Sequence, residues 1–204
     1  MNIAVISDIH GNLAALEAVA ADLARWQPAV VIVAGDLVNR GPQPLECLAF
    51  CFAREREDGW RLLRGNHEEY VLSILADPSA RAGAEEAVRE NVRWTAARVG
   101  DVAPIRALPT QISLAGPDGG EMRIVHASMR HDRDNILADT PDEELRAKIA
   151  PAPPVFCCGH THRPLVRRLD STLVVNAGAV GLPFDGDPRS SYARLSWDGG
   201  GWQA

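Results

Sequence analysis

The sequence has no run of about 18 or more apolar residues, and its first residues lack the basic start and cleavage site of a signal peptide. It also has no excess of positive charge, because 21 lysines and arginines face 27 aspartates and glutamates, giving a net charge of −6. These absences exclude a membrane span, predict a cytoplasmic location and disfavour a nuclease or sequence-independent polyanion binder. We therefore expect neither a membrane nor a nucleic acid as partner. A small phosphate ligand remains compatible, because one arginine or metal ion supplies the charge it needs.

Cysteine is scarce, with four in the chain. Cys47 and Cys51 lie in a predicted helix, and Cys157 and Cys158 are adjacent in an apolar run. Neither pair has the spacing of a zinc site, and adjacent strand residues point to opposite faces. We interpret all four as small buried hydrophobic residues in a reducing compartment.

The rest of the composition is ordinary for a globular protein, with 46% hydrophobic and 24% charged residues. A length of 204 residues predicts a single domain over 1–204. Short apolar runs alternate with helical patterns, which predicts an α/β fold. Residues 68–107, where the helical pattern is broken at Pro78, are the best candidate for a helical insertion over the sheet. The oligomeric state stays open.

Strands are predicted at residues 3–7, 29–34, 60–64, 111–115, 121–125, 155–158, 165–169, 172–176 and 191–197. Asn12 can cap a first helix, and Pro42 and Pro44 stand where a second could begin. Further helices are expected after residue 64 through about residue 75 and over 82–99. The segment Gly-Pro-Asp-Gly-Gly at 116–120 predicts a hairpin turn.

Polar residues able to bind metal follow five of these apolar runs. They are Asp8 and His10, Asp36, Asn66 with His67 and Glu68, His126, and His160 with His162. Ligands in open α/β sheets collect beyond the carboxyl ends of strands, so we expect these side chains to converge. Side chains two apart in a strand point to the same side, so both members of Asp8-x-His10 and of His160-x-His162 can reach one centre. The glycines before Asp36, Asn66 and His160 permit the tight backbone that aims these side chains inward.

The chemistry of this set favours divalent metal ions. All the donors are nitrogen or oxygen, which suits manganese, iron, zinc or nickel, with manganese as the first expectation. Without His67 and Glu68 the set contains seven candidate ligands. Seven are too many for one tetrahedral ion and suit two ions that share a carboxylate. Such a pair can clamp the attacking and leaving oxygens of an in-line displacement at phosphorus.

The ordered set Asp8-x-His10, Gly35-Asp36, Gly65-Asn66-His67-Glu68, His126 and Gly159-His160-Thr161-His162 resembles the calcineurin-like metallophosphoesterase superfamily. The segment at 176–183 also resembles the Asn-Pro-Gly-Ser-Val-Gly segment of its small bacterial branch. The resemblance implies a four-layer αββα sandwich with two metal ions at one edge. The first ion would be held by Asp8, His10, Asp36 and His162, and the second by Asp36, Asn66, His126 and His160.

The same resemblance implies the reaction. A hydroxide bridging the two ions would attack phosphorus, with Asp36 as the bridging carboxylate. His67 would lie near the leaving oxygen as a general acid or a charge stabiliser, and Asn66 would also contact substrate. Arg40 stands in a segment similar to those of Ser/Thr phosphoprotein phosphatases and symmetrical dinucleoside tetraphosphatases, where an arginine binds the substrate phosphate. Asn39 departs from the phosphoprotein phosphatases, which have a histidine-orienting aspartate there, so protein dephosphorylation is not favoured.

Three functions follow as expectations. The first is a dinuclear metal-dependent phosphoesterase that hydrolyses a small phosphomonoester or phosphodiester. The second is a symmetrical dinucleoside polyphosphate hydrolase, suggested by the segment around Arg40. The third is a binding scaffold, like the retromer subunit that resembles this fold but has lost catalytic histidines. In this sequence every ligand position of the family pattern is filled and His67 is present, which favours catalysis over the scaffold.

Overall fold

The computed structural model describes residues 1–80 and 86–204, and within them the chain forms two five-stranded sheets flanked by helices. The helices are α1 (Leu13–Trp26), α2 (Pro44–Asp58), α3 (Asn66–Ala76), α4 (Glu86–Ala96), α5 (Ala103–Ala107) and α6 (Asp142–Ile149). The strands are β1 (Asn2–Ile6), β2 (Val30–Ala34), β3 (Arg61–Leu63), β4 (Gln111–Ala115), β5 (Glu121–Val125), β6 (Val155–Cys158), β7 (Leu165–Leu169), β8 (Thr172–Asn176), β9 (Ala193–Trp197) and β10 (Trp202–Gln203).

Both sheets are mixed: the first is antiparallel at one edge only, and the second is antiparallel at both edges. The first has the order β10-β9-β1-β2-β3, with β1, β2 and β3 parallel and Val5 opposite Ile32. The second has the order β4-β5-β6-β8-β7, with β5, β6 and β8 parallel and Phe156 opposite Val174. Parallel neighbours bring their carboxyl ends to the same edge of a sheet, so the loops after β1, β2 and β3 lie side by side.

Three hydrophobic clusters separate four layers. On β2, Val31 and Val33 face the cluster under α1 to α5, whereas Ile32 and Ala34 face the cluster between the sheets. A third cluster packs the outer face of the second sheet against α6 through Leu145. The predicted four-layer αββα sandwich is therefore confirmed, with strands buried on both faces as parallel sheets require.

The cysteine prediction is also confirmed. Cys157 belongs to the cluster between the sheets and Cys158 to the cluster under α6, so the adjacent residues do point to opposite faces. All four cysteines are free and buried. They contribute apolar packing and no cross-link.

Local signals place several element ends. The Asn12 side chain accepts a hydrogen bond from Ala15 N at 3.2 Å and caps α1, as predicted. Pro44 is the first residue of α2, and Gly59, at a φ of 69°, ends it. Gly119, at a φ of 79°, closes the predicted hairpin between β4 and β5.

Some elements differ from the sequence-based prediction. The strand expected at 191–197 is shorter, and α5, α6 and β10 were not predicted. Helix α6 is exposed over most of its length and buries few apolar side chains, among them Leu145 and Ile149. Its helical hydrophobic periodicity is therefore weak in the sequence. Of the helix predicted over 82–99, Glu86–Ala96 is helical and residues 82–85 lie outside the described part. The insertion at 68–107 stays a prediction, although its described helices bury Val71, Val92 and Ile105 in the same cluster as α1 and α2.

No helix in the described ranges is both long enough and apolar enough to cross a membrane.

Candidate metal centre

The structure brings the seven proposed metal ligands together at one edge of the two sheets. Asp8 and His10 follow β1, Asp36 follows β2, and Asn66 follows β3. His126 follows β5, and His160 and His162 follow β6 of the second sheet. The site thus spans both sheets, and most of its side chains are buried.

A first group of donors comprises Asp8, His10, Asp36 and His162, whose ligand atoms all lie within 4.8 Å of one another. The Nε2 atoms of His10 and His162 are 3.1 Å apart. His162 Nε2 lies 3.2 Å from Asp8 Oδ1, and His10 Nε2 lies 3.6 Å from Asp36 Oδ2. Two imidazoles and two carboxylates around one point form a suitable donor set for a divalent cation.

A second group of donors centres on Asn66. Its Oδ1 lies 2.9 Å from His126 Nε2 and 3.0 Å from His160 Nδ1. His126 Nε2 is also 3.4 Å from Asp36 Oδ2. The same oxygen of Asp36 therefore faces a histidine of each group.

Backbone carbonyls orient three of these imidazoles. The Nδ1 atoms of His10, His126 and His162 lie 3.2, 2.8 and 2.5 Å from the carbonyl oxygens of Val38, Ala34 and Leu182. An Nδ1–H that donates to a carbonyl leaves Nε2 as the ring's ligand atom. In each of the three rings that Nε2 points at the carboxylates, as a metal ligand requires.

The charge of the cluster favours a cation. In the described ranges no lysine or arginine forms an ion pair with Asp8 or Asp36, and Asp8 Oδ1 has no hydrogen-bond partner. Burial alone would raise the pKa of both carboxyls, but the His162 and His126 rings hold these pKa values below the ordinary value. Burial lowers the pKa of His126, yet Asp36 outweighs it and raises this pKa to about 10. The site therefore attracts positive charge, and the residues present fit a metal ion.

The backbone at these positions is left-handed. Asp8, His10, Asp36, His160 and His162 have φ values of 56°, 49°, 57°, 69° and 56°, which are uncommon for residues other than glycine. Such conformations cost of order 1–3 kcal/mol each and persist only where the surrounding structure enforces them. The strand-alternation argument for Asp8-x-His10 and His160-x-His162 was wrong, because both pairs lie in these loops beyond the strand ends. His160 and His162 in fact face different donor groups.

Two glycines provide room for the loops. A Cβ on Gly65 would lie 2.2 Å from Asp36 Oδ1, and one on Gly159 would lie 2.0 Å from Ser7 Oγ. Neither distance is tolerable, so both positions require glycine for close approach. These two glycines leave space for the neighbouring side chains of the site. The left-handed backbone conformation is adopted by the ligand residues themselves.

Comparison with known proteins agrees with this geometry. The calcineurin-like phosphoesterase superfamily domain matches residues 1–200. The chain belongs to this superfamily. It is therefore a hydrolase of the metallophosphoesterase class, as the motifs predicted.

Three similar proteins illustrate the relationship. A metallophosphoesterase structure from Sphaerobacter thermophilus is 29% identical, with a TM-score of 0.74 over 95% of this chain and 82% of that one. An uncharacterized protein of Methanocaldococcus jannaschii is 27% identical over 93% of this chain and 80% of its own length. A symmetrical bis(5′-nucleosyl)-tetraphosphatase of Thioalkalivibrio sulfidiphilus is 29% identical over 58% of this chain and 54% of its own length.

Glu68 is the functional residue that sequence reasoning missed in this phosphoesterase. From the sequence it was grouped with the polar residues that follow the third strand and was given no role of its own, but it is fully buried. Its Oε1 accepts hydrogen bonds from Leu37 N and Val38 N, and its Oε2 from Asp36 N and Gly65 N, at 2.8 to 3.2 Å. Glu68 therefore ties the loop after β2 to the loop after β3. The Gly65-Asn66-His67-Glu68 motif contained the signal, since an acidic residue three after a cap can reach back to it.

Burial and the nearby Asp36 carboxylate raise the pKa of Glu68 to about 7, while the N–H donors of Gly65 and Asp36 oppose the rise. All four of these contacts come from N–H donors, which favours the ionised form of Glu68 that accepts at both oxygens.

His67 is oriented by Asn39. The Asn39 Nδ2 atom lies 3.0 Å from His67 Nδ1 and donates to the His67 carbonyl oxygen at 3.1 Å. With a carbonyl and a ring nitrogen as neighbours, the amide nitrogen can donate to both, which leaves the ring proton on Nε2. The His67 backbone N–H donates to Asp36 Oδ1 at 2.9 Å. His67 is thus attached directly to the metal-binding loop.

Arg40 follows Asn39 at the surface. Its side chain is exposed, and no described residue makes a hydrogen bond or ion pair with its guanidinium. Burial lowers the pKa of His67, and the charge of Arg40 lowers it further, so the arginine lies close to this ring. A free guanidinium beside the site can receive an anion.

Proposed function

We propose that the chain is a dinuclear metal-dependent phosphoesterase that hydrolyses a phosphomonoester or phosphodiester of a small molecule. The observation that carries this proposal is the position of Asp36 Oδ2, 3.6 Å from His10 Nε2 and 3.4 Å from His126 Nε2. A carboxylate oxygen between two donor groups is suited to bridging two ions. The family assignment supplies the reaction class, and this oxygen supports two ions rather than one.

We propose that the ligands divide as the resemblance implies. Asp8, His10, Asp36 and His162 would hold one ion, and Asp36, Asn66, His126 and His160 the other. Two bound divalent ions would neutralise phosphate oxygens and lower the pKa of a water positioned for in-line attack. Manganese is the first expectation, with iron, zinc or nickel as alternatives of similar donor preference.

The remaining groups act on the substrate. Arg40 would bind a phosphate oxygen through its guanidinium, which has no partner among residues 1–80 and 86–204. His67 would direct its Nε2 proton towards the leaving oxygen, because Asn39 occupies Nδ1. A neutral imidazole held in this way donates a hydrogen bond and stabilises developing charge.

A second candidate activity is symmetrical dinucleoside polyphosphate hydrolysis. The observation that favours it is the similarity to a symmetrical bis(5′-nucleosyl)-tetraphosphatase over 150 residues. The segment around Arg40 supports the same activity. A nucleotide panel with product analysis separates it from simple ester hydrolysis.

We also infer a cytoplasmic location from four free, buried cysteines, which suit a reducing compartment. The net charge of −6 supports a small phosphorylated substrate over a nucleic acid.

The test is metal content with activity on one preparation. Bound metals per chain are counted, and p-nitrophenyl phosphate and bis-p-nitrophenyl phosphate are assayed with added manganese, nickel, zinc or magnesium. Two metals with turnover support the proposal, and the ratio of the two rates separates a monoesterase from a diesterase. Asp36→Asn should lose both metals and the activity, and EDTA should reversibly abolish turnover. Two metals and a full rate in Asp36→Asn would contradict the bridging role of Asp36, and one metal in an active wild type would contradict the dinuclear assignment. An inactive metal-loaded protein would favour the scaffold.

A further inference from the structure

An open groove of about 510 Å³ lies between the loop after Asn39 and helix α4. Arg40 and Pro42 line one side, and Asn91 and Trp94 line the other. Its volume falls within the roughly 300–1,000 Å³ typical of small-molecule sites. The groove begins one residue beyond Asn39, which contacts His67, so it adjoins the candidate catalytic site.

The edge of the groove nearest that site is held in place. The Arg40 backbone N–H donates to Asn91 Oδ1 at 2.6 Å, and Arg40 has a left-handed φ of 67°. This bond ties the loop to α4 while the guanidinium stays without a partner among the described residues. The backbone that carries the Arg40 cation is therefore held at the junction between the groove and His67.

The far wall of the groove carries an aromatic ring. Trp94 is 37% exposed. The Arg98 guanidinium carbon lies 3.8 Å from the ring centroid, and Arg98 Nη1 donates to the Trp94 carbonyl oxygen at 2.9 Å. Trp94 lines the groove, and Arg98 is not among the described residues that line it.

We propose that this groove binds the base of a nucleotide substrate. Trp94 stacks on the base, and Arg40 binds the phosphate of the nucleotide. The proposal rests on the proposed phosphoesterase function, because the phosphate must lie between Arg40 and the metal ligands. An indole face suits any planar base, since every base has a π-face. The Asn91 amide nitrogen and the exposed Glu90 carboxylate offer one donor and one acceptor for its polar edge. An aliphatic phosphoester would use Arg40 and leave the ring without a partner.

The experiment compares two ligands on the metal-loaded protein in a His67→Ala background, so that bound metal offsets the charge of Asp8 and Asp36 and the measurement does not depend on catalysis. Calorimetry measures binding of adenosine 5′-diphosphate, which has a base, and inorganic pyrophosphate, which does not. We expect the diphosphate nucleotide to bind more tightly, and Trp94→Ala to weaken it by roughly 5–150-fold. Pyrophosphate binding should change less than about twofold in this variant, and Arg40→Ala should weaken both ligands.

Trp26→Ala is the matched control. Trp26 is also a half-buried tryptophan, with the Arg194 guanidinium 5.0 Å from its ring centroid, but it lies at the end of α1. Its removal should leave both affinities unchanged. Nucleotide binding that is absent, that is no tighter than pyrophosphate binding, or that falls equally in both tryptophan variants would overturn the proposal. Failure of the phosphoesterase function would appear separately, as no turnover of p-nitrophenyl phosphate by the metal-loaded wild type.

Discussion

Replacing Glu68 by glutamine tests whether this side chain holds the metal-binding loops together. The carboxylate accepts four backbone N–H bonds, two at each oxygen. In Glu68→Gln one oxygen becomes an NH2 group, so two buried N–H donors lose their acceptor and face another donor. The neighbouring Glu69 provides a matched control, because it is 39% exposed and its ion pair within the described part of the chain is with Arg64 at 2.5 Å.

The magnitude follows from the two lost acceptors. Each unsatisfied buried donor costs about 1–3 kcal/mol, and the two remaining bonds lose their charge assistance. Because burial and Asp36 raise the pKa of Glu68 to about 7, glutamine also removes part of the cost of a buried charge. We therefore expect a net loss of ~2–4 kcal/mol in the free energy of unfolding. Glu69→Gln removes a surface ion pair and should cost at most about 1 kcal/mol.

Urea denaturation of the metal-free proteins, followed by tryptophan fluorescence, measures both values. Manganese affinity is the second measurement, and it should fall in Glu68→Gln because the backbone of Asp36 loses its acceptor. It should stay unchanged in Glu69→Gln. If the two variants had the same unfolding midpoint and the same manganese affinity, the positioning role of Glu68 would be refuted.

Three further outcomes are expected. His67→Ala should lower turnover while the metal content measured by elemental analysis stays the same, and loss of metal would show that His67 acts on the site's structure instead. Because burial raises the pKa of all four cysteine thiols, a thiol reagent should label none in the native protein and four after denaturation; rapid labelling of the native protein would contradict this burial. Burial would raise the pKa of Asp134, but Lys148 and Ser128 lower it below the model-peptide value of 3.8. Ionised Asp134 should therefore stabilise the fold fully at a pH well above that value, and this stabilisation should be lost as the pH falls through the folded-state pKa. The difference in unfolding free energy between wild type and Asp134→Asn should consequently shrink below about pH 4. A difference independent of pH would be inconsistent with the pairing of Asp134 with Lys148.

The fold was largely predictable because the strands are short, apolar and bounded by polar turns. Val30–Ala34 is buried on both faces, so its apolar run is continuous, and its short length and β-branched residues indicate a strand. Helix α6 was missed because only a narrow stripe around Leu145 and Ile149 faces the second sheet. The two-residue β10 was missed because a strand of that length has no measurable period.

The identity of the candidate site residues was predictable from motifs, since five polar segments follow five strand ends. Their geometry was not. The pairing of His160 with Asn66, and of His162 with Asp8, depends on left-handed turns that no hydrophobic pattern encodes. The burial of Glu68 depends on two loops that are more than 25 residues apart in the chain.

The sequence by itself determined the layers and the set of metal-binding residue types, because hydrophobic period and residue chemistry are local properties. Only the tertiary structure decided which oxygen of Asp36 faces both donor groups and which ring nitrogens point at it. It also decided that Trp94 and Arg40 border one groove. These are contacts between segments distant in sequence, so they arise from the packing of two sheets and their loops.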